Sequence, residues 1–223
     1  MTAFLKRHKI VGATILLVVL LVLYFSFVAI KAYFDIHRII AEIESSGRIV
    51  LKLEEIPADY VISLLAVEDP NFYTHSGIDI TTPGAGWTTI TQGIVKIYFF
   101  DGFSPGFLRY KKMNQSLIAW ILNQRVDKNT QLQIFINSVF LGNHNSTEVI
   151  GFQEGSKVYF NKEFSQLNGD EFLSLVAMII APNQFNVVTQ TSKNRERVNR
   201  IKRLLNGECK PVELNDVYYK NCK

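Results

Sequence analysis

Glu68-Asp69-Pro70-Asn71-Phe72-Tyr73-Thr74-His75-Ser76-Gly77 sets two adjacent carboxylates where a helix must end, then follows them with aromatics, a histidine and a glycine turn. The helix before it is read from Val61, Leu64 and Leu65, at helical spacing after Pro57 and Asp59, and Pro70 disfavours helix at the residue preceding it. Acids at a helix C-terminus face an unfavourable dipole and need a local partner. Carboxylates so placed are either a solvated helix end or a base held for use.

Upstream, residues 10–30 (IVGATILLVVLLVLYFSFVAI) form an uncharged run of 21 residues. As a helix this run is about 31 Å long, against a hydrocarbon core of about 30 Å. The reading is an uncleaved transmembrane anchor, because cleaved signals carry an apolar run of only about 7–15 residues and buried core helices keep a polar face. Lys6, Arg7 and Lys9 make residues 1–9 a basic tail that the positive-inside rule holds in the cytoplasm, with the rest of the chain outside. Residues 31–44 read as a membrane-proximal stalk, with a short strand expected at Arg48 to Leu53. Beyond residue 30 the chain holds 21 basic and 20 acidic side chains, a balance unlike that of a nucleic-acid-binding domain.

Downstream, SGIDITTPGAGW and FFDGFSPGF within residues 76–110 read as loops around one helical piece, TTITQGIVKIYF,. Leu117, Ile118, Ile121 and Leu122 mark a following helix, and Leu132, Phe135, Ile136, Val139 and Phe140 mark another that Gly142 ends,. Phe172 to Ala181 reads as an apolar helix stopped by Pro182, and Asn194 to Leu205 as a basic amphipathic one. The outer part is therefore predominantly α-helical, with one lobe near the membrane and one away from it. Cys209 and Cys222, both in the tail 206–223, read as surface thiols, free or paired; outside the cytoplasm a bond between them would close a loop worth about 3 kcal/mol. No metal-binding spacing occurs.

Two further segments carry polar chemistry. Gly86-Trp87-Thr88-Thr89-Ile90-Thr91-Gln92, with Lys96 beyond it, offers hydroxyls, an amide and an ammonium to an anion, although hydroxyl-rich segments are commonly helix caps,. Arg109-Tyr110-Lys111-Lys112-Met113-Asn114-Gln115 sets three cations ahead of a helix, either a solvated basic turn or a grip for pyrophosphate,.

In this order the three segments resemble the family 51 peptidoglycan glycosyltransferases, which polymerise lipid II. That family's E-D-x-x-F-x-x-H-x-G is met by Glu68 to Gly77 without a mismatch. Its G-x-S-T-I-T-Q-Q-x-x-K-N, R-K-x-x-E and I-L-E-x-Y-L-N-x-x-x-x-G correspond to Gly86 to Ile97, Lys111 to Gln115 and Gln131 to Gly142. Gly151 through Tyr159 and Phe160, and then Pro182, continue the likeness, which covers residues 45–205. It implies a lysozyme-like, two-lobed helical glycosyltransferase domain behind a single transmembrane helix.

The resemblance also implies a reaction. The 4-hydroxyl of one lipid-linked disaccharide attacks the anomeric carbon of a growing chain and expels undecaprenyl pyrophosphate. Glu68 would be the base, positioned by Asp69 and by the turn bearing Phe72, His75 and Gly77. Lys96, Lys111 and Lys112 would hold pyrophosphate, with a divalent cation (Mg or Mn) as a candidate helper, and Thr88, Thr89, Thr91 and Gln92 would line the donor groove. Asn137 belongs to the fourth motif and would join the substrate-binding set. The apolar stretch Ile97 to Phe107 would keep the cleft at the bilayer. Implied partners are lipid II, the growing glycan strand, the membrane and other cell-wall synthesis proteins, but no nucleic acid. Without S-x-x-K or K-[ST]-G, the sequence resembles the monofunctional form.

The departures fall on the chemistry. Gln115 stands at the second essential glutamate, Gln133 at a common Glu, Lys111 at an Arg, Gly93 at a Gln and Ile97 at an Asn. An amide carries no charge and takes no proton, and lysine lacks the bidentate fork of arginine. Two readings follow: an active transferase with Glu68 as base, or a lipid II-binding scaffold of the same fold in which Gln115 has ended catalysis. A lysozyme-like hydrolase comes third, since only Glu68 is well placed by motif.

Overall fold

The computed structural model describes residues 2–100 and 109–222, so the stretch 101–107 of the expected membrane-facing segment lies outside the described residues. The first helix, α1, runs Thr2–Ser45 without a break, joining anchor and stalk. It is the one described helix long and apolar enough to cross a membrane, and none of its most apolar window is buried in the protein. Its lower part is different: Ala32, Ile36 and Ile43 are buried against α4 (Arg109–Arg125). Polar contacts line that seam, with Asn114 donating to the Tyr24 hydroxyl at 2.6 Å and the Arg125 guanidinium lying 3.9 Å over the Tyr33 ring while also meeting His37.

The strand expected at Arg48–Leu53 does not form. Residues 48–50 are irregular and Leu53–Glu55 is a 3₁₀ turn, because a side chain takes the place of a neighbouring strand. Asn137 Oδ1 accepts from the Val50 and Leu51 amides at 3.0 and 2.9 Å, and its Nδ2 donates to Leu51 and Gln133 carbonyls, each at 2.8 Å. Beside it the Leu53 amide donates to Gln133 Oε1.

Helix α2 (Ala58–Glu68) ends at the acidic pair, as expected. Helix α3 (Ile90–Phe99) begins with a capping box: Thr89 Oγ1 accepts from the Gln92 amide and Gln92 Oε1 from the Thr89 amide, both at 3.1 Å,. Asp127 caps α5 (Lys128–Ser138). The helix expected to reach Gly142 stops at Ser138 instead, and Phe140–His144 (β1) pairs antiparallel with Thr147–Ile150 (β2). Asn145 and Ser146 both adopt positive φ, 50° and 66°, the geometry of a tight hairpin turn; the apolar spacing of Val139 and Phe140 suited both structures, and the turn chemistry decided.

Helices α6 (Phe152–Phe160), α7 (Gly169–Ile179) and α8 (Thr191–Leu205) complete the fold. Leu175, Val176, Ala177 and Met178 of α7 are wholly buried. Around it gather Phe152, Phe164 and Phe172, the last stacked on Tyr60 at 4.1 Å.

Residues 206–222 are tied into the fold, and of the two states expected for the cysteines the paired one is present. Cys209 and Cys222 are bonded, and Cys222 is buried.

Because Asn137 satisfies three backbone groups of the 50–51 crossing, Asn137→Ala is expected to lower unfolding stability by about 2 kcal/mol. Denaturant titration checks this, and a loss below about 0.5 kcal/mol would contradict the role.

Candidate active site

The site begins where α2 ends. The last carbonyls of a helix have no intrahelical partner; here the Leu65 carbonyl accepts from the Asp69 amide at 2.9 Å and the Val67 carbonyl from the Tyr219 hydroxyl at 2.7 Å. Asp69 then turns its buried carboxylate inward. It accepts from His75 Nε2 at 2.9 and 3.0 Å and from the Ile90 amide, the first of α3, at 2.9 Å. The Gly77 amide donates to His75 Nδ1 at 3.0 Å, so the lone pair is on Nδ1 and the Nε2 hydrogen points at Asp69. Thr89 Oγ1 donates to the Gly77 carbonyl at 2.8 Å, closing a ring of hydrogen bonds between the first two motifs.

Gly77 itself is dictated by space. Its φ is +90° and a Cβ would lie 2.5 Å from the Ala119 carbonyl oxygen, so a side chain here would force α4 away. Phe72 is buried, with Lys128 Nζ 4.4 Å over its ring. That ammonium has no hydrogen-bond partner among the described residues, and burial pushes its pKa down to about 8, opposed by the charge of Asp69.

Glu68 precedes this node. It keeps part of its surface in contact with solvent, yet burial of the carboxyl raises its pKa to about 7; the Arg197 charge opposes the rise and Asp69 adds to it. Arg197 is 1% exposed, donates to the Ala177 and Val217 carbonyls and, among the described residues, has no carboxylate at ion-pair distance.

On α4, Lys112 Nζ donates to the Trp87 carbonyl at 2.6 Å, to Thr88 Oγ1 at 3.2 Å and to Gln92 Oε1 at 3.3 Å. Burial, and then the charge of Lys96, lower its pKa to about 8. Lys96, Lys112 and Thr88 are thereby brought together, and Lys111 stands half-buried at the preceding position of α4.

Several residues expected to line the substrate groove are buried in the fold. Thr91 is wholly buried and donates to Gln131 Oε1 at 2.7 Å; Thr89 and Gln92 are buried in the capping box, Gln92 Nε2 reaching Ser116. Of those four residues only Thr88 is exposed. Phe72, His75, Gly77 and Asn137 likewise have their contacts inside the protein. Hydrogen bonds within the fold hold the polar ones among these side chains in place.

Gln115 is the sharpest case. It is 2% exposed, and its Nε2 donates to the Gln92 carbonyl at 2.7 Å, tying α4 to α3. A carboxylate there would meet a carbonyl oxygen with no hydrogen to offer. Among the described residues no three His, Cys, Asp or Glu side chains converge to hold a metal, and this amide does not supply the missing ligand.

Sequence reasoning passed over Lys128, Arg197 and Tyr219. Arg197 had a signal, since Asn194, Arg197, Val198 and Ile201 share the buried stripe of α8 at helical spacing. Lys128, beside a cap residue, and Tyr219, in a tail, had none.

Residues 36–206 match the family described as Transglycosylase. The chain belongs to the transglycosylase family. Its fold is mainly α and lysozyme-like, as the resemblance implied. Penicillin-binding protein 1B of Haemophilus influenzae is 30% identical over 183 residues, covering 75% of this chain and 23% of that protein. Penicillin-binding protein 1A of Streptococcus oralis is 28% identical over 191 residues, covering 80% and 29%, and penicillin-binding protein 1B of Escherichia coli is 30% identical over 184 residues, covering 75% and 21%. This transglycosylase-family chain spans about a quarter of the length of such relatives.

Gln115→Glu tests the amide directly. The variant is expected to be about 1–3 kcal/mol less stable at pH 7, through a carboxylate facing a carbonyl. The deficit shrinks as pH falls, because a protonated carboxyl donates where a carboxylate cannot. Thermal unfolding at pH 5 and pH 8 checks this, and equal stability to the wild type at both would contradict it.

Proposed function

We propose that this chain is a membrane-anchored peptidoglycan glycosyltransferase that polymerises lipid II, with Glu68 as the general base. The observation that carries the reading is the placement of Glu68: a half-buried carboxyl with its pKa raised to about 7, adjacent in sequence to the hydrogen-bonded Asp69–His75–Ile90 node. A base titrating near the working pH combines a populated carboxylate with a useful proton affinity.

In the reaction, Glu68 takes the proton of the acceptor 4-hydroxyl. The oxygen bonds to the anomeric carbon of the growing chain from the face opposite the pyrophosphate, and the anomeric carbon–oxygen bond breaks with its electron pair leaving on pyrophosphate. Lys96, Lys111 and Lys112 with the Thr88 hydroxyl offset the charge that develops there. Lys112 is pre-aimed by its contacts to Trp87, Thr88 and Gln92, so little reorganisation accompanies binding.

α1 anchors the domain, and the basic residues at its start support a cytoplasmic N-terminus with the site on the outer side of the cytoplasmic membrane,. The relatives' names connect this fold with penicillin-binding proteins, and partners in cell-wall synthesis belong to the same reading. A divalent cation, if used, would be brought by the pyrophosphate.

The buried amide of Gln115 favours a second reading, a protein that binds lipid II without polymerising it. Incubating the detergent-solubilised full chain with purified lipid II separates the two. Glycan strands are expected from the wild type, with Glu68→Gln at least about 100-fold slower. Binding of lipid II without polymer from folded wild type would favour the scaffold, and full activity in Glu68→Gln would overturn the assignment of the base.

A further inference from the structure

The segment beyond residue 206 lies outside the family match, yet it contacts the end of α2, helix α8 and the loop before Thr88. Tyr219, 1% exposed, donates its hydroxyl to the Val67 carbonyl, the helix-end group next to Glu68. The Val217 carbonyl accepts from Arg197 at 2.8 Å and the Tyr218 carbonyl from Arg200 at 3.2 Å. The Glu213 and Leu214 carbonyls accept from the Gly84 and Gly86 amides, each at 2.9 Å, in the loop leading to Thr88. Gly84 and the tail approach closely: a Cβ at Gly84 would fall 2.5 Å from Pro211. The Cys209–Cys222 bond closes the segment on itself, joining the end of α8 to the residue three beyond Tyr219.

We propose that Tyr219 is a positioning residue for Glu68, and that the disulfide-closed tail is a brace holding the base, Arg197 and the loop before Thr88 in register. The proposal rests on the reading of Glu68 as the base. In this reading the tail acts through the end of α2. A helix whose last carbonyls lack partners frays, and the Tyr219 hydroxyl supplies one of those partners from a ring locked under the base. The ionisable groups facing Glu68 are Asp69 at its own helix end, Arg197 from α8 and Tyr219 from the tail, with Arg200, Tyr218 and Asp216 around the latter two.

Reduction makes the brace testable without a mutation. Dithiothreitol gives two electrons to the Cys209–Cys222 bond, which takes up two protons to become two thiols while the reagent closes to its cyclic disulfide. The full chain is assayed on lipid II as wild type, wild type reduced after folding, Tyr219→Phe and Cys209→Ser/Cys222→Ser. Amide hydrogen exchange is followed at Asp69, Gly84 and Gly86. The expected result is a fall in kcat of about fivefold or more in Tyr219→Phe and in reduced wild type, with KM for lipid II within about twofold, a displaced pH–rate midpoint and faster exchange at Asp69. Gly84 and Gly86 also exchange faster once the disulfide is open, and dithiothreitol leaves the double serine variant unchanged.

Unaltered kcat, pH–rate midpoint and exchange in folded Tyr219→Phe and in reduced wild type would overturn the proposal. Faster exchange at Asp69, Gly84 and Gly86 on reduction of a wild type that makes no polymer would support the brace while refuting the function proposed above.

Discussion

A buried carboxylate, that of Asp69, joins the end of α2 to the beginning of α3, and the remaining site geometry is referred to it. It accepts from the first amide of α3, where a negative charge is favoured by the helix dipole,, and from His75 Nε2. That answers the difficulty that two acids at a helix C-terminus present: Asp69 is removed to the start of a different helix, leaving Glu68 alone at the mouth. The ring His75–Gly77–Thr89 then locks the loop between the two helices. Loss of any member would leave a buried polar group unpaired, a cost of about 1–3 kcal/mol each, so the assembly is cooperative in the way a small polar core is.

Around this node some polar groups are paired inside the fold and others stay partly exposed. Thr89, Thr91, Gln92, Gln115 and Asn137 hold: each is paired inside the fold. Glu68, Thr88, Lys96, Lys111 and Lys112 retain access to the outside. Gln115 shows how a position can change from one class to the other, because an amide can donate to the Gln92 carbonyl where a carboxylate could not. On α4, Asn114 meets the anchor helix through Tyr24 while its neighbour Gln115 meets α3, so the helix carrying two of the site lysines is fixed to anchor and domain at once.

The sequence made the long apolar helix, the end of α2 and α7 legible, since each is written in local terms: an uncharged run, a proline, an apolar block before Pro182. The hairpin was not legible, because Val139 and Phe140 continue a helical spacing and only the Asn145–Ser146 turn contradicts it. The strand expected at Arg48–Leu53 failed because Asn137, 86 residues away from Leu51 in sequence, caps those backbone groups. Of the site, Glu68, Thr88, Lys96 and Lys112 could be read from motif chemistry. That Thr91 is buried, that Arg197 lies under Glu68 and that the tail returns to Val67 are facts of tertiary packing that local spacing does not encode.

The account stands on Glu68 acting as a base whose proton affinity is set by burial. The direct test is the pH dependence of lipid II polymerisation by the wild-type full chain under single-turnover conditions, from pH 5 to pH 9. Since the carboxylate is the reactive form and burial raises its pKa to about 7, the rate is predicted to climb as pH rises through about 7, with a tenfold gain per unit on the acid side of the midpoint. A rate that is flat across this range, or that falls as pH rises from 5 to 7, would contradict it.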